Sequence, residues 1–270
     1  MTSSDRPARV RIMGVNVSAI TMADALATVE GWIERKSRNY VCITGVHGVI
    51  ESQSDPRLLA IHDQAGMVTP DGMPLVWMAR RLGYRHTQRV YGPDLMLKLT
   101  QLSTERGYRQ FYFGGAPGLA DQLRSRLEER FPGLQVAGTC SPPFRPASAE
   151  EDEAMVAQIN AARPDIVWVG LSTPKQEFWM DAHLGAIEAP VMIGVGAAFD
   201  FLAGTKRQAP AWMQRNALEW LFRLVTEPRR LWRRYFSIVP RFLVGAGLQL
   251  SRQGGARPAV AESRDAPRVL

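Results

Sequence analysis

The chain carries only two cysteines in 270 residues, Cys42 and Cys140. Two lone cysteines in apolar or loop contexts support neither a disulfide framework nor a zinc site. The four histidines, His47, His62, His86 and His183, follow no metal-ligand spacing. No clear Asp-x-Asp pair stands in a loop: Asp63 and Asp121 are isolated in helical patterns, and residues 151–153 read as a solvated acidic helix face. A bound divalent metal is therefore not expected. Long hydrophobic runs are missing too. Stretches such as 190–198 are too short to span a bilayer, and residues 1–15 lack the apolar core of a signal peptide. These absences predict a protein kept in the cytosol. There is no internal repeat and no dinucleotide fingerprint. The turn Phe113-Gly114-Gly115-Ala116-Pro117-Gly118 has the wrong glycine spacing, and Gly194-x-Gly196 lacks a third glycine because position 199 is Phe. No acid ends the strand expected at 134–137, so a nicotinamide-cofactor dehydrogenase is disfavoured.

What is present is a local concentration of positive charge. Residues 205–252 hold ten Lys or Arg and two acids, a balance of +8, against +7 for the whole chain. Residues 1–204 hold 20 basic and 22 acidic residues. The cations are interleaved with Trp212, Trp220, Phe222, Trp232, Tyr235 and Phe236. Basic heads beside interfacial aromatics suit an anionic membrane surface or a polyphosphorylated ligand. Nucleic acid is not expected, because the aromatics keep helical spacing with aliphatics instead of forming a base-stacking platform. An ordinary amphipathic packing helix has the same pattern.

Short apolar runs alternate with amphipathic stretches. Strands are expected at 10–13, 40–44, 110–114, 134–137, 165–170 and 191–195, and helices at 22–36, 56–64, 74–82, 94–105, 117–130, 148–162 and 174–181. Several of these helices have Pro in the first turn, where a missing N–H costs nothing. Asp94 reads as an N-cap. Residues 166–169 and 191–195 are apolar on both faces, as in a parallel sheet covered on both sides. The chain therefore predicts an α/β, Rossmann-like, doubly wound, mostly parallel sheet over 1–204. Residues 205–252 form a helical appendage, with helix over 211–226, a break at Glu227-Pro228, and helix again to about 250. The tail, 253–270, is polar and rich in Gly, Pro and Arg, and is expected to be disordered.

Ligands of open parallel sheets bind at the carboxyl ends of the strands, so the strand-to-helix turns carry the chemistry. Thr44-Gly45-Val46-His47-Gly48 could receive a phosphate or a sugar hydroxyl. The turn holding Gly115 could aim N–H groups at a diphosphate. Thr69-Pro70-Asp71-Gly72-Met73-Pro74 is the sharpest candidate. Pro-Asp-Gly is a turn signature in its own right, yet it sets a carboxylate just before a helix, where an acid can serve as general base. Arg89 could be its cationic partner. Lys175 and Gln176 open another helix, and Lys at a helix start opposes the dipole unless it faces an anion. Asp200, beyond the last strand, could accept from a nucleobase or ribose, or merely cap a helix.

In order, the segments TPDGMPLVW, RVYGPDLM, FGGAPG, GLSTPKQE, GVGAAFDFLAG, APAWMQRNALEWLFRL and EPRRLWRRY resemble the WecG/TagA/CpsF family of bacterial glycosyltransferases. The resemblance runs from about Val10 to Leu248. It implies transfer of a sugar from a UDP-sugar to a polyprenyl-diphosphate-linked saccharide at the cytoplasmic membrane face. The linkage would be β, made with inversion, with no required metal or cofactor. Carried over residue by residue, it implies Asp71 as catalytic base, Thr44 and Arg89 in the active site, and Gln176 and Asp200 at the substrate, Asp200 near the uridine. Arg223, Arg230 and Arg233 would close over the diphosphate. One departure stands out: many members have Thr-x-Asn where this chain has Thr44-Gly45-Val46, with His47 beside it.

The expected activity is thus an inverting UDP-sugar-dependent hexosyl- or N-acetylhexosaminyl-type transferase in surface polysaccharide or cell-wall polymer synthesis, peripheral on the inner face of the cell membrane. A non-catalytic, membrane-peripheral protein binding a nucleotide or lipid diphosphate is the second reading. No motif names the donor sugar or the acceptor saccharide, and a homo-oligomer is compatible with the sequence.

Overall fold

The computed structural model describes residues 6–253. It begins with an antiparallel hairpin of β1 (Arg9–Ile12) and β2 (Val15–Ser18). The remaining strands are β3 (Asn39–Thr44), β4 (Met67–Pro70), β5 (Arg109–Gly114), β6 (Gln135–Cys140), β7 (Ile166–Gly170) and β8 (Val191–Gly194). They make one six-stranded sheet in the order β4-β3-β8-β7-β5-β6, parallel at every pairing.

Burial explains the sheet. All six residues of β3 are buried. In β7, Val167 and Val169 enter one core cluster while Ile166 and Trp168 enter the other. A strand apolar on both faces is stable only where helices cover both. The covering helices are α1 (Met22–Glu34), α2 (Val46–Ser52), α3 (Pro56–Gln64), α4 (Met73–Arg81), α5 (Gly92–Arg106), α6 (Leu119–Arg130), α7 (Ala149–Ala162), α8 (Lys175–His183) and α9 (Ala198–Leu202). Their starts follow side-chain chemistry: Thr21 with Asp24, and Ser148 with Glu151, form capping boxes, and Asp55 caps α3 ahead of Pro56. The doubly wound fold is as expected.

Several details differ, β2 and α9 being absent from the elements that the sequence predicts. Asp94 is not an N-cap: α5 starts earlier, with Tyr91 at the cap and Asp94 inside the first turn, where a carboxylate still favours the helix dipole. Strand β4 is not among the strands that the sequence predicts, because its sequence, MVTP, is short and ends in Pro; at the sheet edge Pro is tolerated. Helix α2 stands where the sequence predicts only a turn, since it contains a Gly and has no side-chain cap.

Three helices end the described chain: α10 (Ala211–Arg215), α11 (Glu219–Thr226) and α12 (Pro228–Gln253). The break at Glu227-Pro228 is present. A second lies at 216–218, where Ala217 has φ 58°. Helix α12 packs against α2 and the hairpin: Ile238, Phe242 and Ala246 join a core cluster with Val10 and Ile12. Gln249 binds both ways, accepting from Met13 N at 2.8 Å and donating to Arg11 O at 2.7 Å. Gln253 belongs to α12, and the rest of the tail expected to be disordered lies outside the described residues.

Candidate active site

From β3 the chain runs outward to β4, while the other four strands lie on the far side of β3. Such a reversal opens a crevice at the strands' carboxyl ends. A cavity of about 860 Å³ occupies it, with α11 and α12 as its far wall. Gly45 after β3, Asp71 after β4, Ser172 after β7 and Gly196 after β8 all line it.

Asp71 is fixed by its turn. Its N–H donates to Thr44 O at 3.0 Å, which continues the β3–β4 register, and Gly92 N donates to its Oδ1 at 3.1 Å. Protein crowds most sides of the side chain, while one side opens to the cavity. Burial pushes the carboxyl up to about 6, with the Arg89 guanidinium pulling the other way. Arg89 does not pair with this carboxylate: its Nε donates to the Asp71 backbone oxygen. Its other nitrogens reach across to the C-terminal helices, Nη1 to Gln214 Oε1 at 3.0 Å and Nη2 to Glu219 Oε2 at 2.7 Å. The guanidinium lies 4.0 Å from the Tyr91 ring centroid.

Gln176 is 2% exposed and lines the cavity. Its Nε2 donates to Glu177 Oε1 at 3.1 Å, and its Oε1 has no partner. Gly194 packs closely beneath it: a Cβ there would come to 2.7 Å from Met180 Cε and 3.0 Å from the Gln176 amide. Glu177 is buried and accepts from Thr173 Oγ1 at 2.9 Å, and burial pushes it up to about 7. Asp200 lines the opposite rim, 3.4 Å from Lys206 Nζ.

Of the arginines singled out in the sequence, Arg223 and Arg230 line the cavity and Arg233 does not. Arg233 is exposed, its guanidinium 5.3 Å from the Trp232 ring centroid. Arg234 lines the cavity in its stead. The signal was legible: Arg230, Arg234, Ile238 and Phe242 follow one another at i+4, one face of a helix. Thr44, Gly115 and Lys175 also lie outside the cavity lining. The Thr44 hydroxyl is buried and bonds to His62 Nε2 at 3.0 Å. Gly115, φ 79°, packs so tightly on Leu119 that a Cβ would come within 2.8 Å. Lys175 is exposed.

Glu219, Trp220 and Tyr235 are not site candidates in the sequence and line the cavity, as does His47 of the candidate turn after β3. His47 Nε2 lies 2.7 Å from Glu51 Oε1. Burial, then Arg234 and Arg223, push the imidazole down to about 4, so it is neutral at pH 7. Among the described residues, no three His, Cys, Asp or Glu gather as a metal site, and no helix is long and apolar enough to cross a membrane.

A half-buried carboxylate in a cavity that three arginines of the C-terminal helices also line, at the switch point of a Rossmann-like sheet, suits group transfer with an anionic leaving group. The family is specific. The profile of the glycosyl transferase WecG/TagA/CpsF family matches residues 10–255, and the chain belongs to that family. It is similar to an N-acetylglucosaminyldiphosphoundecaprenol N-acetyl-beta-D-mannosaminyltransferase of Bacillus spizizenii, 31% identical over 193 residues, 72% of each chain. The protein of the same name from Staphylococcus aureus is 27% identical over 247 residues, 90% of this chain and 94% of its own.

Proposed function

We propose that this glycosyltransferase moves a sugar from a UDP-sugar to a saccharide carried on a polyprenyl diphosphate, with inversion to a β linkage and without a metal. The observation that carries the reading is the meeting, in one cavity, of Asp71 with Arg223, Arg230 and Arg234. The Asp71 carboxylate takes the proton of the acceptor hydroxyl, whose oxygen attacks the anomeric carbon. The carbon–oxygen bond to the diphosphate breaks, and UDP leaves with the electron pair. A base with a pKa near the working pH suits the proton step. Guanidinium groups suit the developing diphosphate charge, where a metal would otherwise serve. The unpartnered Oε1 of Gln176 is a free acceptor for a donor hydroxyl or amide.

The relatives' names recommend N-acetylmannosamine as the first donor sugar to try and undecaprenyl-diphosphate-linked N-acetylglucosamine as the first acceptor. The site of action is the inner face of the cell membrane, where α11 and α12 dock. Val225, Phe236, Leu243 and Val244 are each more than 60% exposed there, among the excess cations. Apolar side chains beside Lys and Arg are what an anionic interface holds.

The test is a turnover screen of UDP-sugars on the lipid-linked acceptor with wild type and Asp71→Asn. Wild type should transfer one N-acetylhexosamine, and Asp71→Asn should lose about 10²–10⁴-fold in turnover while still binding UDP. Binding of UDP and lipid diphosphate with no transfer from any donor would instead mark a non-catalytic binding protein.

A further inference from the structure

Among the described residues, five other than glycine have positive φ: Met13, Lys36, Arg163, Ser172 and Ala217. Secondary structure accounts for four of them. Met13 sits with Gly14 in the two-residue turn of the β1–β2 hairpin, a turn that favours positive φ at both places. Lys36, Arg163 and Ala217 lie at the carboxyl ends of α1, α7 and α10, where the left-handed conformation is common. Ser172, φ 66°, has neither setting: it lies in the strand-to-helix turn between β7 and α8. The two strands beside β7 leave the sheet through glycines, Gly115 (φ 79°) after β5 and Gly196 (φ 52°) after β8. Glycine takes this conformation without steric cost, and a residue with a Cβ does not. At β7 the chain thus keeps a side chain where glycine would be less strained, and an outlier of this kind points to a function for that side chain.

Ser172 also lines the cavity. A Cβ on Gly196 would come to 3.6 Å from Ser172 Cα, so the two turns stand side by side. The next hydroxyl, that of Thr173, donates to Glu177 Oε1 at 2.9 Å. The Ser172 hydroxyl makes no hydrogen bond among the described residues; the backbone oxygen of Ser172 accepts from Gln176 N at 3.1 Å. In the sheet order β4-β3-β8-β7, Ser172 lies three strands from Asp71, about 14 Å at the usual strand spacing.

We propose that Ser172 trades stability for a hydroxyl that binds the nucleoside half of the UDP-sugar. The inference rests on the UDP-sugar donor of the proposed function. With the anomeric carbon at Asp71 and the diphosphate against the arginines of α11 and α12, the nucleoside must lie farthest from the base. Toward β7 and β8 the cavity wall carries Ser172, Thr173, Gln176, Asp200 and Lys206. That polar surface suits a ribose and a uracil, which present both donors and acceptors. A serine hydroxyl donates and accepts, so it can meet either.

The test is calorimetric binding of UDP and of inorganic diphosphate to wild type, Ser172→Ala and Ser172→Gly, with a thermal melt of each protein. Losing one hydrogen bond between uncharged groups should weaken UDP about 2–10-fold in both variants, with inorganic diphosphate unchanged. Ser172→Gly removes the Cβ from a left-handed residue and should melt above Ser172→Ala by about 1–4 °C.

UDP binding at the wild-type level in both variants overturns the contact. So does equal weakening of UDP and inorganic diphosphate, which a disturbed turn would explain. A Ser172→Gly protein that melts at or below Ser172→Ala overturns the trade, since the side chain would then support the turn. Wild type that binds inorganic diphosphate and not UDP would remove the UDP reading itself, and this contact with it.

Discussion

The guanidinium of Arg89 stands 2.7 Å from the Glu219 carboxylate, and both side chains are less than a quarter exposed. The pair joins the loop between α4 and α5 to the first turn of α11. Glu219 is one of only two acids among the residues of the basic segment, and it is spent on this contact. Arg89 is therefore a clasp between the sheet and the C-terminal helices as well as a wall of the cavity.

Loss of the clasp should loosen α10 and α11 before the sheet. A charge-assisted hydrogen bond of this kind contributes about 1.5–3 kcal/mol. Glu219→Gln should speed tryptic cleavage within 205–234 several-fold, with far-ultraviolet circular dichroism unchanged. Cleavage at the wild-type rate would mean that the apolar packing of α12 alone holds the segment.

Asp71 gives a pH signature with a definite sign. Its folded pKa, about 6, is above the usual carboxyl value of 3.8. A base must be ionised, so kcat/KM should rise with pH through about 6 and then level. Stability should run the other way. Between 3.8 and 6 the folded state holds more proton than the unfolded one, so stability falls as pH rises through that window. Asp71→Asn, which cannot ionise, should therefore melt higher than wild type at pH 7.5 and level with it near pH 3.5. Thermal melts at the two pH values decide it.

Glu177 follows the same logic at higher pH. Burial raises it from 4.5 to about 7, so its ionisation costs stability progressively from pH 4.5 to 7 and fully above. Glu177→Gln keeps one acceptor oxygen, which can take both the Thr173 and the Gln176 hydrogen bonds now made to Oε1. It should raise Tm at pH 8.5 and leave it unchanged at pH 4. A lower Tm at pH 8.5 would mean that the charge is compensated within the fold.

The arginines of α12 divide by helical face. Arg234→Ala should cut turnover on a water-soluble acceptor by about 10²-fold, the scale for losing one donor at a developing charge. Arg233→Ala should leave that turnover near wild type and slightly weaken binding to anionic vesicles, by about 1 kcal/mol. The reverse ranking would mean that α12 rotates when substrate binds.

On the proposed mechanism turnover should survive EDTA, because Arg223, Arg230 and Arg234, which line the cavity, would supply the positive charge at the diphosphate. Loss on chelation, restored by Mg²⁺ or Mn²⁺, would assign the diphosphate to a metal.

By itself the sequence determined the parallel α/β fold, the helical C-terminal segment and the family. Those follow from local signals: strands apolar on both faces, capping residues, Pro in first turns, and motifs in fixed order. It also marked the turn of Asp71, because Pro-Asp-Gly before a helix is local chemistry. Tertiary structure decided which of the marked residues meet. Thr44 closes β3 and Gly115 follows β5, as Asp71 follows β4, yet the Thr44 hydroxyl bonds to His62 and Gly115 packs on Leu119. Arg233 and Arg234 are neighbours in the chain and differ only in helical phase, which the docking of Ile238 and Phe242 sets. The partnership of Arg89 with Glu219 spans 130 residues, a separation at which no local pattern can specify a contact. The raised pKa values of Asp71 and Glu177 come from burial, a property of the packed fold and not of the chain.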